Sequence, residues 1–203
     1  GGVVTEEKCR QVEFFNEYES SKAMAESLVK SYVIEKNLNA VIVSPTRVYG
    51  PVLFGEPASI TLLISKYVRG NWRIIPGDGT EIGNYVYVDD VVNGHILAMK
   101  NGSKGSTYIL GGENHSYNEF FKILKEESQL DYHLIKTSFV IQLIYAYLDE
   151  FFSRLRNKKP AITTKWIRKC NYNWEVNPNK AVEDLKLKIT PLKEGIKKTL
   201  NSF

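Results

Sequence analysis

The stretch NAVIVSPTRVYGP (residues 39–51) sets the fold class. Ala40 to Val43 is an uncharged, largely β-branched run that stops at Pro45. Such a continuous apolar run, with no polar alternation, is the pattern of a strand buried on both faces. Thr46 to Pro51 then reads as a loop. A doubly covered strand needs helices beside it, and the chain supplies them on either side. Residues 15–36 have helical periodicity, with Phe15, Met24, Leu28 and Tyr32 on one stripe. Downstream, residues 58–70 read as an amphipathic helix stopped by Gly70. Residues 72–79 form a strand running into a turn, and 84–88 another strand, with Asp89 as the cap of a helix over 90–100. A strand at 106–110 precedes the capping box Ser116/Glu119 and its helix at 117–127. Helical segments follow at about 138–156 and 161–170, and two more close the chain. Strands alternating with helices predict an α/β fold with a largely parallel sheet, followed by a helical last third.

The composition fits that picture. At 203 residues and 43% hydrophobic content, the chain can fill one large core or somewhat more. Its net charge of +4 is mild, and no nucleic-acid motif accompanies it, so nucleic acid is not an expected partner. Two cysteines, Cys9 and Cys170, are too few and too far apart for a disulfide scaffold or a metal site, which fits a reducing cytoplasm. The most apolar stretch, SFVIQLIYAYL (138–148), is shorter than a bilayer span and reads as a buried helix.

Reactive chemistry is concentrated in YESSKAMAESLV (18–29). Tyr18 and Lys22 stand four apart on the helix and so share a face. An ammonium beside a phenol favours the phenolate, which makes the phenol a usable proton donor to a carbonyl under reduction. Two further Tyr–x–x–x–Lys pairs, Tyr32/Lys36 and Tyr132/Lys136, have the same spacing. Only the first is followed by small residues (Ser20, Ser21, Ala23, Ala25) that allow close approach, and then by the buried strand with its proline-containing loop.

Four blocks in this order, YESSKAMAESLV, VIVSPTRVYGP, NYVYVDDVVNGHILAM and YILGGENHSYNEFF, resemble the extended short-chain dehydrogenase/reductase (NAD-dependent epimerase/dehydratase) superfamily. Within it the likeness is greatest to the dihydroflavonol-reductase-like and 3β-hydroxysteroid-dehydrogenase-like branch. The resemblance implies the C-terminal part of a Rossmann-type parallel sheet over residues 1–110, with part of the substrate region at about 50–90. Residues 111–203 would form a mostly helical substrate-binding cap. It implies Tyr18 as catalytic acid/base, and Lys22 as its partner and as a hydrogen-bond donor to the nicotinamide ribose. Pro45, Thr46, Arg47 and Val48 would meet the nicotinamide end of NAD or NADP. Tyr49, Tyr85 and Tyr87 would face a small-molecule substrate. The sugar-nucleotide epimerases and dehydratases, which use the same pair, are the alternative activity, and a non-catalytic remnant or interaction module is the other.

The glycine-rich nucleotide-binding half is expected to be absent. GDGTEIG (77–83) has one residue too many for the dinucleotide fingerprint and leads into a strand, and Gly111–Gly112 lacks a third glycine, so both read as turns. The chain starts as though in mid-domain, and the Ser/Thr that would bind a substrate carbonyl is expected before Gly1 rather than at Thr5. An exposed apolar face at the truncated side, and self-association through it, are therefore expected. One feature lies outside this scheme. From Phe151 to Trp174 the chain has seven Lys/Arg and no acid, a pattern of either a solvated helix face or a surface for an anionic partner, such as a phosphorylated substrate or an acidic membrane.

Overall fold

The computed structural model describes residues 2–8, 14–52, 55, 57–158, 160 and 162–203; Cys9 and Lys159 lie outside them. In chain order the elements are α1 (Glu17–Glu35), β1 (Ile42–Pro45), β2 (Arg47–Tyr49), α2 (Ser59–Val68), β3 (Ile74–Pro76), β4 (Ile82–Tyr87), α3 (Val88–Asn101), β5 (Thr107–Leu110), β6 (Glu113–Ser116), α4 (Tyr117–Ser128), β7 (Ile135–Thr137), α5 (Phe139–Leu155), α6 (Thr164–Cys170), α7 (Asn179–Leu185) and α8 (Leu192–Leu200). The architecture is α/β. β1 pairs in parallel with β5, β2 with β4 and β3 with β7, while β6 joins β4 antiparallel.

The β2–β4 pair explains where the cores lie. Successive strand residues point to opposite faces, and the register sets Arg47 opposite Tyr85, Val48 opposite Val86 and Tyr49 opposite Tyr87. One face therefore presents tyrosines, and these join Ile64 and Tyr67 of α2, Phe120 and Leu124 of α4, and Leu192 and Ile196 of α8 in one buried cluster. Tyr85 stacks on Phe120 at 4.9 Å between ring centroids. The opposite face presents valines, which meet Tyr108 and Leu110 of β5, Val91 and Ala98 of α3, and Ala181 and Leu185 of α7 in a second cluster. Each core draws on residues from both sides of position 110.

Side-chain ties fix the helices to this sheet. The buried Asp90 carboxylate on α3 accepts hydrogen bonds from the Thr190 backbone N–H (2.7 Å) and hydroxyl (2.8 Å), anchoring the segment before α8. Glu113 Oε2 accepts from the Leu192 backbone N–H at 2.7 Å. The capping box at Ser116/Glu119 starts α4 as the sequence indicates.

Several elements differ from the sequence expectation. TRVYGP is not wholly loop, because Arg47–Tyr49 extends as β2 on the distant β4 ladder. β6 and β7 are short strands of weak pattern, stabilised by β4 and β3 respectively, and β7 contains Lys136. Asp89 is no cap. The N-cap of α3 is Tyr87, and Asp89 falls in the first turn, where its charge suits the helix dipole. α1 has no buried residue, and Met24 on the expected core stripe is 72% exposed. The reading of 138–148 as a buried helix is overturned: α5 forms, but only Gln142 and Ala146 of it are buried.

The sheet also depends on close backbone approach. A Cβ on Gly112 would stand 1.9 Å from the Tyr85 carbonyl oxygen, on a strand held from both sides by β2 and β6. Gly112→Ala is expected to destabilise the fold by about 2 kcal/mol or more, measured as a lowered midpoint in urea unfolding. A loss near zero would show that the β4–β6 approach is looser than described.

Candidate active site

Tyr18 enters the site from the first turn of α1, and the start of that helix is firmly held. Asn16 caps it, its side-chain oxygen accepting from the Glu19 N–H at 2.9 Å. Glu19 answers by accepting from the Phe15 N–H at 3.2 Å and pairs with Lys169 of α6 at 2.7 Å. The Phe15 ring meets Tyr172 and Trp174 edge-on at 5.7 and 6.1 Å. α1 is thus clamped to α6 and the segment after it at the end that carries Tyr18, while no residue of the helix is buried. Lys22 follows one turn later, its Nζ 5.5 Å from the centre of the Tyr18 ring. Tyr18 itself is 68% exposed.

The Pro45–Val48 segment is held from beneath by a buried amide. Thr46 Oγ1 donates to Asn84 Oδ1 at 2.7 Å, and the same oxygen accepts from the Gly112 N–H at 2.8 Å. Asn84 Nδ2 in turn donates to the Gly112 carbonyl (2.8 Å) and to Asn114 Oδ1 (2.9 Å). A side chain from β4 thereby fixes the β1–β2 junction and the β5–β6 connection together.

Arg47 forms one wall. Its guanidinium lies 5.6 Å from the centres of both the Tyr85 and Tyr117 rings and donates to the Tyr117 hydroxyl at 3.3 Å. Gly83 makes this possible, because a Cβ there would stand 2.4 Å from the guanidinium. Burial opposes the charge on Arg47, but the Tyr117 and Tyr85 oxygens outweigh it and hold the pKa above its ordinary value. Burial pushes the Tyr117 phenol up despite Arg47. The Cys170 thiol is likewise raised by burial, with Arg47 only partly offsetting it. At neutral pH Arg47 is a fixed cation, while Tyr117 and Cys170 stay protonated, so Cys170 is not a thiolate nucleophile.

These groups border one cavity of about 1100 Å³. Tyr18, Thr46, Arg47, Val48, Tyr117 and Cys170 line it, together with Trp72, Trp166 and the cations Arg154, Lys158, Lys165 and Lys169; Glu17 and Glu150 are the acids. Lys22 and Pro45 are adjacent to lining residues without lining it themselves. Tyr49, Tyr85 and Tyr87, expected to face a substrate, do not line the cavity. They sit on the face of β2–β4 that α4 and α8 cover, Tyr49 with its hydroxyl 3.5 Å from the Leu192 carbonyl. Burial raises the pKa of each of these three phenols. Tyr85 borders the site through Arg47, whose guanidinium lies over its ring. Thr5 lies away from the cavity, beside the Val4–Val176 bridge. Trp72, Tyr117, Cys170 and Glu150 were not singled out by sequence; for Tyr117, its place directly after the capping box was the one available signal. Among the described residues no group of His, Cys, Asp and Glu could hold a metal ion.

A profile described as "NAD dependent epimerase/dehydratase family" matches residues 2–111. The chain belongs to that family. Among curated relatives of this epimerase/dehydratase chain, the 3beta-hydroxysteroid-dehydrogenase/decarboxylase isoform 1 of Arabidopsis thaliana is 26% identical over 201 residues, covering 92% of this chain and 45% of the relative. The dTDP-D-glucose 4,6-dehydratase of Dictyostelium discoideum is 34% identical over 96 residues, 47% of this chain and 22% of the relative. The solved structure of gox2253 superposes with a TM-score of 0.73 at 27% identity, covering 92% of this chain and 55% of the other. The chain spans about half the length of its full-length matches.

For the dinucleotide that the family name implies, the described residues offer a fit at one end only. Tyr18, Thr46 and Val48 line one cavity of about 1100 Å³, with room for a nicotinamide end. No glycine turn between a strand and a helix N-terminus is present among the described residues to cradle a pyrophosphate. The Gly77–Gly79 turn leads into β4, and a Cβ on Gly79 would stand 2.4 Å from Asn118.

Removing the buried amide tests how the loop is held. Asn84→Ala should cost about 2 to 3 kcal/mol, because it leaves the buried Gly112 N–H and carbonyl without their side-chain partner. Thermal unfolding reads that loss, and Asn84→Asp should recover part of it only at acid pH, where a protonated carboxyl can donate.

Proposed function

We propose that the protein is the catalytic and substrate-binding portion of an NAD(P)-dependent oxidoreductase that acts on a carbonyl or alcohol carbon. The observation that carries this reading is the convergence of Tyr18 with Thr46, Arg47 and Val48, from separate elements, on one cavity of about 1100 Å³. When bound, a nicotinamide supplies or accepts hydride. Tyr18 gives the proton to the carbonyl oxygen in reduction and removes it from the hydroxyl in oxidation. Lys22 stands one turn on, its Nζ 5.5 Å from the centre of the Tyr18 ring. Trp72 and Val48 provide apolar wall, and the cations Arg47, Arg154, Lys158, Lys165 and Lys169 favour an anionic substrate. Cysteine usage supports a cytoplasmic location.

A second reading is nucleotide-sugar epimerase or dehydratase, favoured by the higher identity to the Dictyostelium dehydratase across 96 residues. In that reading the hydride returns to the substrate within each turnover, and tight retention of cofactor through the catalytic cycle distinguishes the two.

Titration with NADH and NADPH, followed by nicotinamide fluorescence, tests the division of labour. This chain alone is expected to show no saturable binding, for want of a pyrophosphate cradle among the described residues. In a polypeptide that does bind cofactor, Tyr18→Phe should lower kcat by about 100-fold or more with cofactor affinity unchanged. Unaltered kcat would remove Tyr18 from the mechanism.

The free face of α1 carries the proposal of self-association. Met24 and Leu28 border a shallow groove with Phe14, Ala23 and Ser27, an apolar surface that a second copy can cover. Sedimentation velocity should show a concentration-dependent dimer that Leu28→Glu shifts to monomer.

A further inference from the structure

We propose that α5 docks this protein onto an anionic phospholipid surface. The helix is built the wrong way round for a soluble cap. Its polar side chains point inward. Gln142 Nε2 donates to the Thr137 carbonyl (2.6 Å) and hydroxyl (3.1 Å). Asp149 accepts from the Ile162 N–H at 3.0 Å, and Glu150 from the Thr164 N–H at 2.8 Å. Its apolar side chains point outward. Val140, Ile144, Tyr147, Leu148, Phe151 and Leu155 recur at spacings of three and four, so they form one stripe, and each is between 48% and 69% exposed. Nothing among the described residues covers this stripe.

Charge identifies the occupant. The two carboxylates of α5 are both used inside, bonded to the backbone that leads into α6. The segment from Phe151 to Trp174 has seven cations and no acid. Arg156 and Arg168, which lie outside the cavity lining, are exposed and make no ion pair among the described residues. An exposed apolar stripe with cations beside it suits a helix lying in the plane of a membrane interface, where buried apolar area and attraction to anionic lipid act together. The cations meet anionic headgroups and the stripe enters the acyl boundary. A second copy fits less well, since it would bring the same cations and no acid to meet them. The 17 residues of α5 do not span a bilayer, and no helix among the described residues is long and apolar enough to cross one.

Co-sedimentation with vesicles provides the test. The chain should bind vesicles of phosphatidylcholine and phosphatidylserine in equal amounts and bind phosphatidylcholine alone at least about tenfold more weakly. The double variant Ile144→Glu/Phe151→Glu should lose at least about tenfold in binding; both positions are exposed, and circular dichroism verifies folding. Arg156→Glu/Arg168→Glu should abolish the preference for phosphatidylserine by a separate route. Leu28→Glu on α1 should bind as the parent does. The proposal is overturned if the parent binds neither vesicle or binds both equally, or if binding survives the α5 double variant. It is equally overturned if the α5 face holds two copies together, seen as a dimer that the double variant dissolves without any vesicle binding.

Discussion

A single buried amide organises this structure. The Asn84 side chain leaves no hydrogen-bonding atom unused, joining Thr46 in the β1–β2 junction, Gly112 in the β5–β6 connection and Asn114 in β6. In a low-dielectric interior such a network is strong when complete and costly when broken. It does more than stabilise. The β1–β2 junction, from which Thr46, Arg47 and Val48 face the cavity, has its conformation set by a residue on another strand. The position of the site and the register of the sheet therefore stand or fall together.

Much of this was legible in the sequence. The apolar run at 40–43 and the capping box at Ser116 carried the fold class, and the four ordered blocks carried the family, because each is a local pattern with a local cause. The three tyrosines expected at the substrate were misread for a physical reason. Alternation places Tyr49, Tyr85 and Tyr87 on one face of β2–β4, but sequence does not reveal that α8, more than a hundred residues downstream of Tyr85, covers that face. β2, β6 and β7 escaped notice because strands of three or four residues owe their existence to partners rather than to their own propensity.

α5 failed for the opposite reason. Its composition is that of a core helix, yet only Gln142 and Ala146 of it are buried, because composition does not report burial. Inward-facing Gln142, Asp149 and Glu150 are a better guide, since buried polar groups require specific partners while an apolar stripe requires only something other than water. The helix packs through its hydrogen bonds, and its hydrophobic content is left to an external surface.

The glycine at position 83 has a consequence of its own. It touches no part of the cavity, yet the space above its Cα is what the Arg47 guanidinium occupies. Any side chain there evicts the cation from between Tyr85 and Tyr117. The electrostatic character of the pocket is thus encoded partly by an empty volume on the neighbouring strand. Within a lineage, a change of substrate charge could begin at this glycine, one that an inventory of pocket-lining residues would pass over.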